Sequence, residues 1–210
     1  MDNRVIIVSG LPRSGTSMMM RMLEAGGIPL VTDGVRQADP DNPCGYFEYQ
    51  PVKRLRRDGS WVPSARGKAL KVVSPLLEAL PSMCRYDVIF MERNLDEVLA
   101  SQQVMLTNNS TGSFCTKDVQ AAPFRQGDER LKTAYLNHLE QTRLWLKTRD
   151  NMRVLYVGYE KVLKAPGEAA NQIAHFLRVS LNESAMVFAV MPTLRRQRTQ
   201  DCPGQPKTSV

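Results

Sequence analysis

The sequence predicts an α/β fold in three α/β/α layers, with a central parallel sheet flanked by helices. Short runs of apolar, mostly β-branched residues alternate along the chain with longer segments of helical periodicity. A glycine-containing turn separates the first strand from the first helix. The 210 residues are 42% hydrophobic and 23% charged, which is typical of a globular domain and excludes a disordered or fibrous chain. We expect one domain over residues 1–194 and a flexible basic tail over residues 195–210.

The predicted strands are continuous apolar runs, which indicates that both faces of the sheet are covered by other layers. Each run is bounded by polar or turn-forming residues, as expected for a short buried strand. Four strands are expected, at residues 5–8, 69–73, 88–91 and 154–157.

Helices are predicted between these strands from apolar stripes and end signals. One covers residues 16–25, and others begin at Ser74, after Asn94, near Leu131 and at Pro166. Residues 32–67 are expected to form a long loop with one short helix near residues 52–57. The polar segment 107–126 is expected to be a mobile lid.

A phosphate-binding loop is predicted at the first strand–helix junction, over residues 10–17. Glycine allows the chain to turn tightly, and the first amides of the helix point toward an anion with the positive end of the helix dipole behind them. Thr16 stands where a nucleoside triphosphatase loop has lysine, but Arg13 supplies a cation inside the loop. We therefore predict a phosphate or sulfate site, against the alternative of a turn that only joins strand to helix.

Two motifs resemble the sulfotransferases that use 3′-phosphoadenosine 5′-phosphosulfate (PAPS). Residues 11–17, Leu-Pro-Arg-Ser-Gly-Thr-Ser, resemble their 5′-phosphosulfate loop. Residues 90–101 resemble their 3′-phosphate motif, with Arg93 at a strand end and Ser101 in the next helix. The intervening helix makes about two turns, so both side chains can converge on one anion. The alternative is an exposed arginine and a helix-surface serine.

Two further segments are similar to the same family. Residues 158–166 resemble its Tyr-Glu-Asp…Pro stretch, which implies that Tyr159 lies against the adenine; the alternative is a strand-end residue that fills the core. Residues 70–81 resemble the strand that carries a lysine and, two residues later, a histidine at the sulfuryl centre. Lys71 matches the lysine, but Val73 stands in place of the histidine.

Glu48 is the candidate proton acceptor in place of that histidine. Some branches of the family use a glutamate near the acceptor, and residues 42–48, Asn-Pro-Cys-Gly-Tyr-Phe-Glu, resemble a stretch of compact bacterial-type members. An ion pair between Glu48 and the basic run 53–57 is the equally open alternative. His138 and His175 lie on predicted amphipathic helices far from the motifs, and we expect helix-surface or core histidines.

The resemblance implies a P-loop fold and a reaction, transfer of a sulfuryl group from PAPS to a hydroxyl or amine acceptor by in-line displacement. The product would be adenosine 3′,5′-bisphosphate (PAP), and no metal is expected. The implied catalytic residues are Arg13, Lys71 and Glu48, and the implied nucleotide-binding residues are Arg13, Ser14, Gly15, Thr16, Ser17, Arg93, Ser101 and Tyr159. Arg195, Arg196 and Arg198 are a loose counterpart of a C-terminal 3′-phosphate segment, and their contact with that phosphate stays open.

The net charge of +7 indicates an anionic partner or a solubility margin. We expect a small-molecule or carbohydrate acceptor, no nucleic acid and no membrane partner, and the sequence predicts no oligomeric state. The apolar run 5–8 is too short for a signal peptide core, so a cytoplasmic location is expected.

Three other functions compete with sulfuryl transfer. A kinase-like or nucleotide-hydrolysing enzyme would share the fold, but Thr16 replaces its lysine and Glu92 is the nearest residue to a strand-end metal ligand. A non-catalytic protein that binds PAP or another nucleotide would fit the valine at position 73. Nucleic-acid binding through residues 53–57 and the C-terminal arginines would explain the charge but lacks the signature of a recognition module.

Overall fold

The computed structural model describes residues 4–36, 42, 45–108 and 129–190. The strands are β1 (Arg4–Gly10), β2 (Leu30–Val31), β3 (Ala69–Lys71), β4 (Arg85–Glu92) and β5 (Met152–Gly158). The α-helices are α1 (Thr16–Ala25), α2 (Leu95–Asn108), α3 (Glu129–Lys147), α4 (Tyr159–Lys164), α5 (Pro166–Leu177) and α6 (Glu183–Ala189). The predicted tail over 195–210 and all but the first two residues of the predicted lid over 107–126 lie outside the described residues.

The five strands form one sheet in the order β2-β3-β1-β4-β5, and every pairing is parallel. This arrangement confirms the predicted α/β fold with a central parallel sheet. From β1 the chain first forms β2 and β3 on one side of β1. It then crosses over β1 and forms β4 and β5 on the other side, so the direction of strand addition reverses beside β1. Ligands in such sheets bind at the carboxyl ends of the strands beside that reversal.

The structure differs from the sequence prediction at several points, and the short helices α4 and α6 were not predicted at all. The edge strand β2 is only two residues long, too short to produce an apolar pattern. Strand β3 ends at Lys71, two residues before the predicted end, because Pro75 occupies the first turn of a 3₁₀ helix over Ser74–Ala79. The long loop contains two 3₁₀ helices, Gln50–Arg54 and Val62–Ala65, where one short helix was predicted.

Two hydrophobic cores cover the two faces of the sheet. Ile6 and Val8 of β1 pack with α1, α5 and α6 on one face. Val5 and Ile7 pack on the other face with the 3₁₀ helices and the end of α3. Burial on both faces explains why the strands are continuously apolar. No helix in the described ranges is long and apolar enough to cross a membrane.

Asp87 ties three strands together near their amino ends. Its carboxylate accepts hydrogen bonds from Arg4 of β1, at 2.8 Å, and from Arg153 of β5, at 2.6 and 2.7 Å. The Asp87 side chain is only 3% exposed, so its charge needs both partners. This ion pair network lies at the amino ends of the strands. The carboxyl ends of the strands, on the opposite side of the sheet, are left for a ligand.

Candidate functional site

The loop between β1 and α1 has an unusual backbone. Gly10 and Gly15 have φ angles of 141° and 99°, and Arg13 between them has a φ of 70°. A Cβ on Gly10 would lie 2.5 Å from the Ser14 Oγ and one on Gly15 would lie 2.5 Å from the Tyr159 ring, so both positions need glycine for close approach as well as for conformation. The predicted glycine-dependent turn is therefore present, and it packs directly against a side chain that follows β5.

Polar groups of this loop are arranged to receive an anion. The Ser14 hydroxyl is buried and has no hydrogen-bond partner among the residues that the structure describes, which is costly without a ligand. The Ser14 N–H donates to the Leu11 carbonyl at 3.1 Å, so the amides offered to a ligand are those of the first turn of α1. A helix cannot satisfy its own first amides, and they carry the positive end of its dipole.

Arg13, Arg93 and Ser101 come together although they are far apart in the sequence. The Arg13 Nε donates to the Ser101 Oγ at 3.0 Å, and the Arg93 Nη1 donates to the Arg13 carbonyl at 3.0 Å. The residues predicted for the 5′-phosphosulfate and for the 3′-phosphate are therefore in direct contact. A ligand that took both predicted positions would replace the contact between Arg13 and Ser101.

Tyr159 begins α4 directly after β5 and is only 7% exposed. Its ring lies under Gly15, and the Arg93 guanidinium sits 4.5 Å from the ring centroid. The structure therefore places Tyr159 against the phosphate loop, with a cation–π contact to Arg93.

Lys71 ends β3 on the other side of β1 from Arg93. Its Nζ donates to the Ser17 Oγ at 3.1 Å and to the Tyr46 carbonyl at 2.8 Å. Burial lowers the pKa of the Lys71 ammonium to about 8; Glu48 raises this pKa, and Arg36 and Arg13 lower it. Lys71 thus shares one electrostatic environment with the phosphate loop and with Glu48.

Glu48 lies between two cations. Its Oε1 accepts a hydrogen bond from Arg36 at 2.8 Å, and its Oε2 is 3.9 Å from the Lys53 Nζ. The Oε2 is buried and makes no hydrogen bond with the described part of the chain. The Arg36 guanidinium carbon lies 3.3 Å from the centroid of the Tyr46 ring, and this stacking holds the arginine of the ion pair in place. The arrangement contains both predicted features, an ion pair with the basic run and a carboxylate oxygen with capacity to accept a proton.

The family model described as a sulfotransferase domain matches residues 3–194. The chain belongs to the sulfotransferase family. This match confirms the resemblance that the sequence motifs indicated.

Solved structures support the same fold. The structure of this chain is similar to that of mouse sulfotransferase SULT7A1 complexed with PAP, with a TM-score of 0.55 and 20% identity over 90% of this chain and 63% of the mouse chain. It is similar to sulfotransferase STF1 from Mycobacterium tuberculosis, with a TM-score of 0.58 and 19% identity over 89% of this chain and 71% of that chain. No curated protein sequence matches the chain.

A third similar structure is the sulfotransferase domain of the Synechococcus PCC 7002 olefin synthase, with a TM-score of 0.54 and 15% identity over 96% of this chain and 90% of that domain. At these identities the likeness establishes the fold alone. The chain spans only 63% of the length of the mouse enzyme.

The structure adds two residues that the sequence motifs did not indicate. Glu97 accepts a hydrogen bond from the Arg93 Nε at 3.0 Å, and the four-residue spacing of an arginine and a glutamate at a helix start was the available signal. The His138 Nε2 lies 2.8 Å from the Ser74 Oγ and 3.4 Å from the Thr142 Oγ1. No sequence spacing could have indicated the contact with Ser74, which is 64 residues away.

His138 is therefore close to a motif, contrary to the expectation from the sequence. Ser74 directly follows Val73, the position at which the family has a histidine, so His138 approaches the same segment from α3. Burial lowers the pKa of His138 and Glu78 raises it. His175 is exposed on α5, as a helix-surface residue was expected to be.

Several predicted elements lie outside the described residues. They include Arg195, Arg196 and Arg198, residues 37–41 of the predicted long loop, and residues 43 and 44 of the family-like stretch 42–48. The Asn42 Nδ2 donates to the Ser17 Oγ at 3.1 Å, and Lys71 donates to the same oxygen, so Asn42 lies beside Lys71. In the part of the chain that the structure describes, no group of three or more histidine, cysteine or acidic side chains could hold a metal ion.

Substitution of Gly15 by alanine should weaken anion binding more than it weakens the fold. Gly27 is the matched control, because it has nearly the same φ, 97° against 99°, and a methyl group added there would meet nothing within 4 Å. The backbone cost of about 1–2 kcal/mol should be common to both variants. Only Gly15→Ala should also push Tyr159 away and lower the affinity for PAP by about tenfold or more, or ~1.4 kcal/mol.

The measurements are urea unfolding and calorimetric titration with PAP for both variants. Equal PAP affinities in Gly15→Ala and Gly27→Ala would contradict the idea that contact between the loop and Tyr159 shapes the anion site.

Proposed function

We propose that this protein is a PAPS-dependent sulfotransferase that transfers the sulfuryl group to a hydroxyl or amine of a small-molecule or carbohydrate acceptor. The observation that carries the proposal is the placement of one cation at each of three neighbouring strand ends around the phosphate loop. Arg13 follows β1, Lys71 ends β3 and Arg93 follows β4. Within the sulfotransferase family, such a site suits a donor that carries two anionic groups.

The residues present fit this donor. The buried Ser14 hydroxyl without a hydrogen-bond partner and the first-turn amides of α1 suit the 5′-phosphosulfate, together with Gly15, Thr16, Ser17 and the Arg13 guanidinium. Arg93 and Ser101 suit the 3′-phosphate, because an arginine and a hydroxyl supply charge-assisted and neutral donors to one anion. Tyr159 supports the loop from below and would contribute to the nucleotide site through Gly15 and Arg93.

PAPS supplies a sulfuryl group on a phosphate leaving group. The protein therefore has mainly to position the donor and the acceptor and to stabilise the charge that develops during transfer. Arg13 would bind the negative charge that grows on the leaving phosphate. Lys71 lies beside Ser17 at the start of α1 and would stabilise the oxygens of the transferring group. Its hydrogen bonds to Ser17 and the Tyr46 carbonyl hold the ammonium in place before a ligand binds.

Glu48 would accept the proton of the acceptor hydroxyl. Its buried Oε2 is the available oxygen, and the influence of Glu48 on the pKa of Lys71 supports a role beside that residue in the proposed reaction. The family histidine is absent, since Val73 occupies its position. The pairs with Arg36 and Lys53 would orient the carboxylate.

The donor site is tested by thermal stabilisation of the protein with PAP in EDTA, beside ATP with Mg²⁺. PAP at 100 times its dissociation constant should add ~2.7 kcal/mol, which raises the melting midpoint by several degrees. Arg13→Ala should abolish most of this shift and lower sulfuryl transfer by about 10²–10³-fold. Arg149→Ala is the matched control, because Arg149 precedes β5 at the opposite edge of the sheet.

A shift with Mg-ATP but none with PAP would overturn the sulfotransferase proposal in favour of a kinase-like enzyme. A PAP shift without turnover over a broad panel of acceptors would favour a non-catalytic nucleotide-binding protein.

The charge of Lys71 should set the alkaline limit of the reaction. Because burial lowers its pKa to about 8, the free enzyme loses this positive charge as the pH rises through about 8. We expect kcat/KM for PAPS, which reports ionisations of the free enzyme, to fall over that range. Lys71→Arg should remove the fall in kcat/KM, since a guanidinium keeps its charge up to pH ~12. A wild-type profile that stays flat to pH 10 would exclude this role for Lys71.

Glu48→Gln distinguishes a proton acceptor from an ion-pair partner. Loss of general-base catalysis should lower kcat by about 10²-fold or more while the affinity for PAP changes little. Arg36→Met is the matched control, because it breaks the same ion pair but keeps the carboxylate. If the two variants lower kcat equally, the function of Glu48 lies in the ion pair.

A further inference from the structure

Glu97 is a buried carboxylate at the edge of the nucleotide site that the proposed reaction does not use. It lies in the first turn of α2, and its Oε2 accepts a hydrogen bond from the Arg93 Nε at 3.0 Å. The side chain of Glu97 is 1% exposed and that of Arg93 is 7% exposed. Burial of an ion pair costs desolvation energy that the mutual attraction often does not recover, so a gain in stability alone is a weak explanation for it.

The pair with Glu97 orients the Arg93 guanidinium toward the phosphate loop. Its Nη1 donates to the Arg13 carbonyl at 3.0 Å. The amide of the same peptide unit, the Ser14 N–H, donates to the Leu11 carbonyl at 3.1 Å. The peptide between Arg13 and Ser14 is thus held at both ends, in a segment where Arg13 adopts a left-handed φ of 70°. That conformation costs a non-glycine residue about 1–2 kcal/mol and persists only when its surroundings hold it.

Helix α2 holds the loop at a second point. The Arg13 Nε donates to the Ser101 Oγ, which lies one further turn along α2 from Glu97. The Arg93 guanidinium carbon also lies 4.5 Å from the centroid of the Tyr159 ring. Arg93 therefore links α2, the start of α4 and the loop, and Glu97 is the residue that fixes its orientation.

We propose that Glu97 is a positioning residue that acts through Arg93 to hold the phosphate loop in the conformation that binds the nucleotide. Arg93 thereby contributes to both ends of the proposed donor site. It lies at the 3′-phosphate position and donates a hydrogen bond to the loop at the 5′ end. The nucleotide part of this inference rests on the proposed function, whereas the hold on the loop does not.

The first experiment measures hydrogen exchange of residues 10–16 without any nucleotide. Glu97→Ala should speed exchange there by tenfold or more, and the isosteric Glu97→Gln should do so less, because an amide oxygen still accepts from Arg93. Asp96→Ala is the matched control. It removes the same charge from the same helix turn, but Asp96 is 55% exposed and pairs with Lys132 on α3.

The second experiment measures PAP affinity by calorimetry in EDTA for Glu97→Ala, Glu97→Gln, Arg93→Ala and the double variant. Loss of a hydrogen bond to a charged group should weaken PAP binding by about 10- to 100-fold in Glu97→Ala, and Asp96→Ala should bind as the wild type does. In the Arg93→Ala background, Glu97→Ala should have no further effect, because Glu97 acts through that arginine. Urea unfolding of each variant separates a general loss of stability from these effects.

The outcomes separate this inference from the proposed function. If the wild type does not bind PAP, the donor assignment fails together with the nucleotide part of the inference, and the exchange experiment still decides the hold on the loop. If the wild type binds PAP but Glu97→Ala changes neither loop exchange nor affinity, only the role of Glu97 is overturned. Equal losses of affinity in the wild-type and Arg93→Ala backgrounds, or tighter PAP binding in Glu97→Ala, would also overturn it.

Discussion

The hydrogen bond from the Arg93 guanidinium to the Arg13 carbonyl joins the end of β4 to the loop after β1. These strands are neighbours in register up to Gly10 and Met91, so the two segments leave the sheet side by side. A loop that turns its amides toward an anion must direct carbonyls elsewhere, and a buried carbonyl needs a donor. Arg93 is the donor for the Arg13 carbonyl. The shape of the loop is therefore determined as much by residues after β4 and β5 as by its own glycines, since Tyr159 also limits what can stand at position 15.

The same placement concentrates positive charge at the carboxyl edge of the sheet. Parallel strands end together there, so Arg13, Lys71 and Arg93 come within one region although up to 80 residues separate them. Cations taken out of water and toward one another lose hydration, and the lowered pKa of Lys71 records that cost. Two carboxylates offset part of it, Glu97 beside Arg93 and Glu48 beside Arg36. The proposed donor is a polyanion and would offset the rest, so its binding would stabilise this end of the sheet.

The parts of the structure that sequence could predict are those with local signals. Apolar runs and end signals located four of the five strands and the main helices, and the phosphate loop followed from glycine spacing at a strand–helix junction. The pair of Arg93 and Glu97 could have been predicted, because side chains four residues apart at the start of a helix lie close together. The contact of His138 with Ser74 was not, since it depends on how α3 packs against the segment after β3. Strand β2 escaped prediction for a similar reason, because two residues carry no pattern and pair only once β3 is in place.

The proposed donor and acceptor sides of the site rest on different kinds of structure. The donor residues follow buried strands or begin helices, so the sheet itself sets their separations. On the acceptor side, Tyr46 and Glu48 lie in an irregular segment that neighbouring loop residues support, through hydrogen bonds from Thr32 to the Glu48 carbonyl and from the Gln50 N–H to Asp33. Regular elements constrain sequence through periodicity, whereas irregular segments accept many sequences and vary most among related proteins. The proposed donor residues can therefore be recognised from sequence motifs, whereas the surroundings of the proposed acceptor residues become readable only in three dimensions. Lys71 is the point where both sides meet, since its ammonium is held by Ser17 of α1 and by the Tyr46 carbonyl.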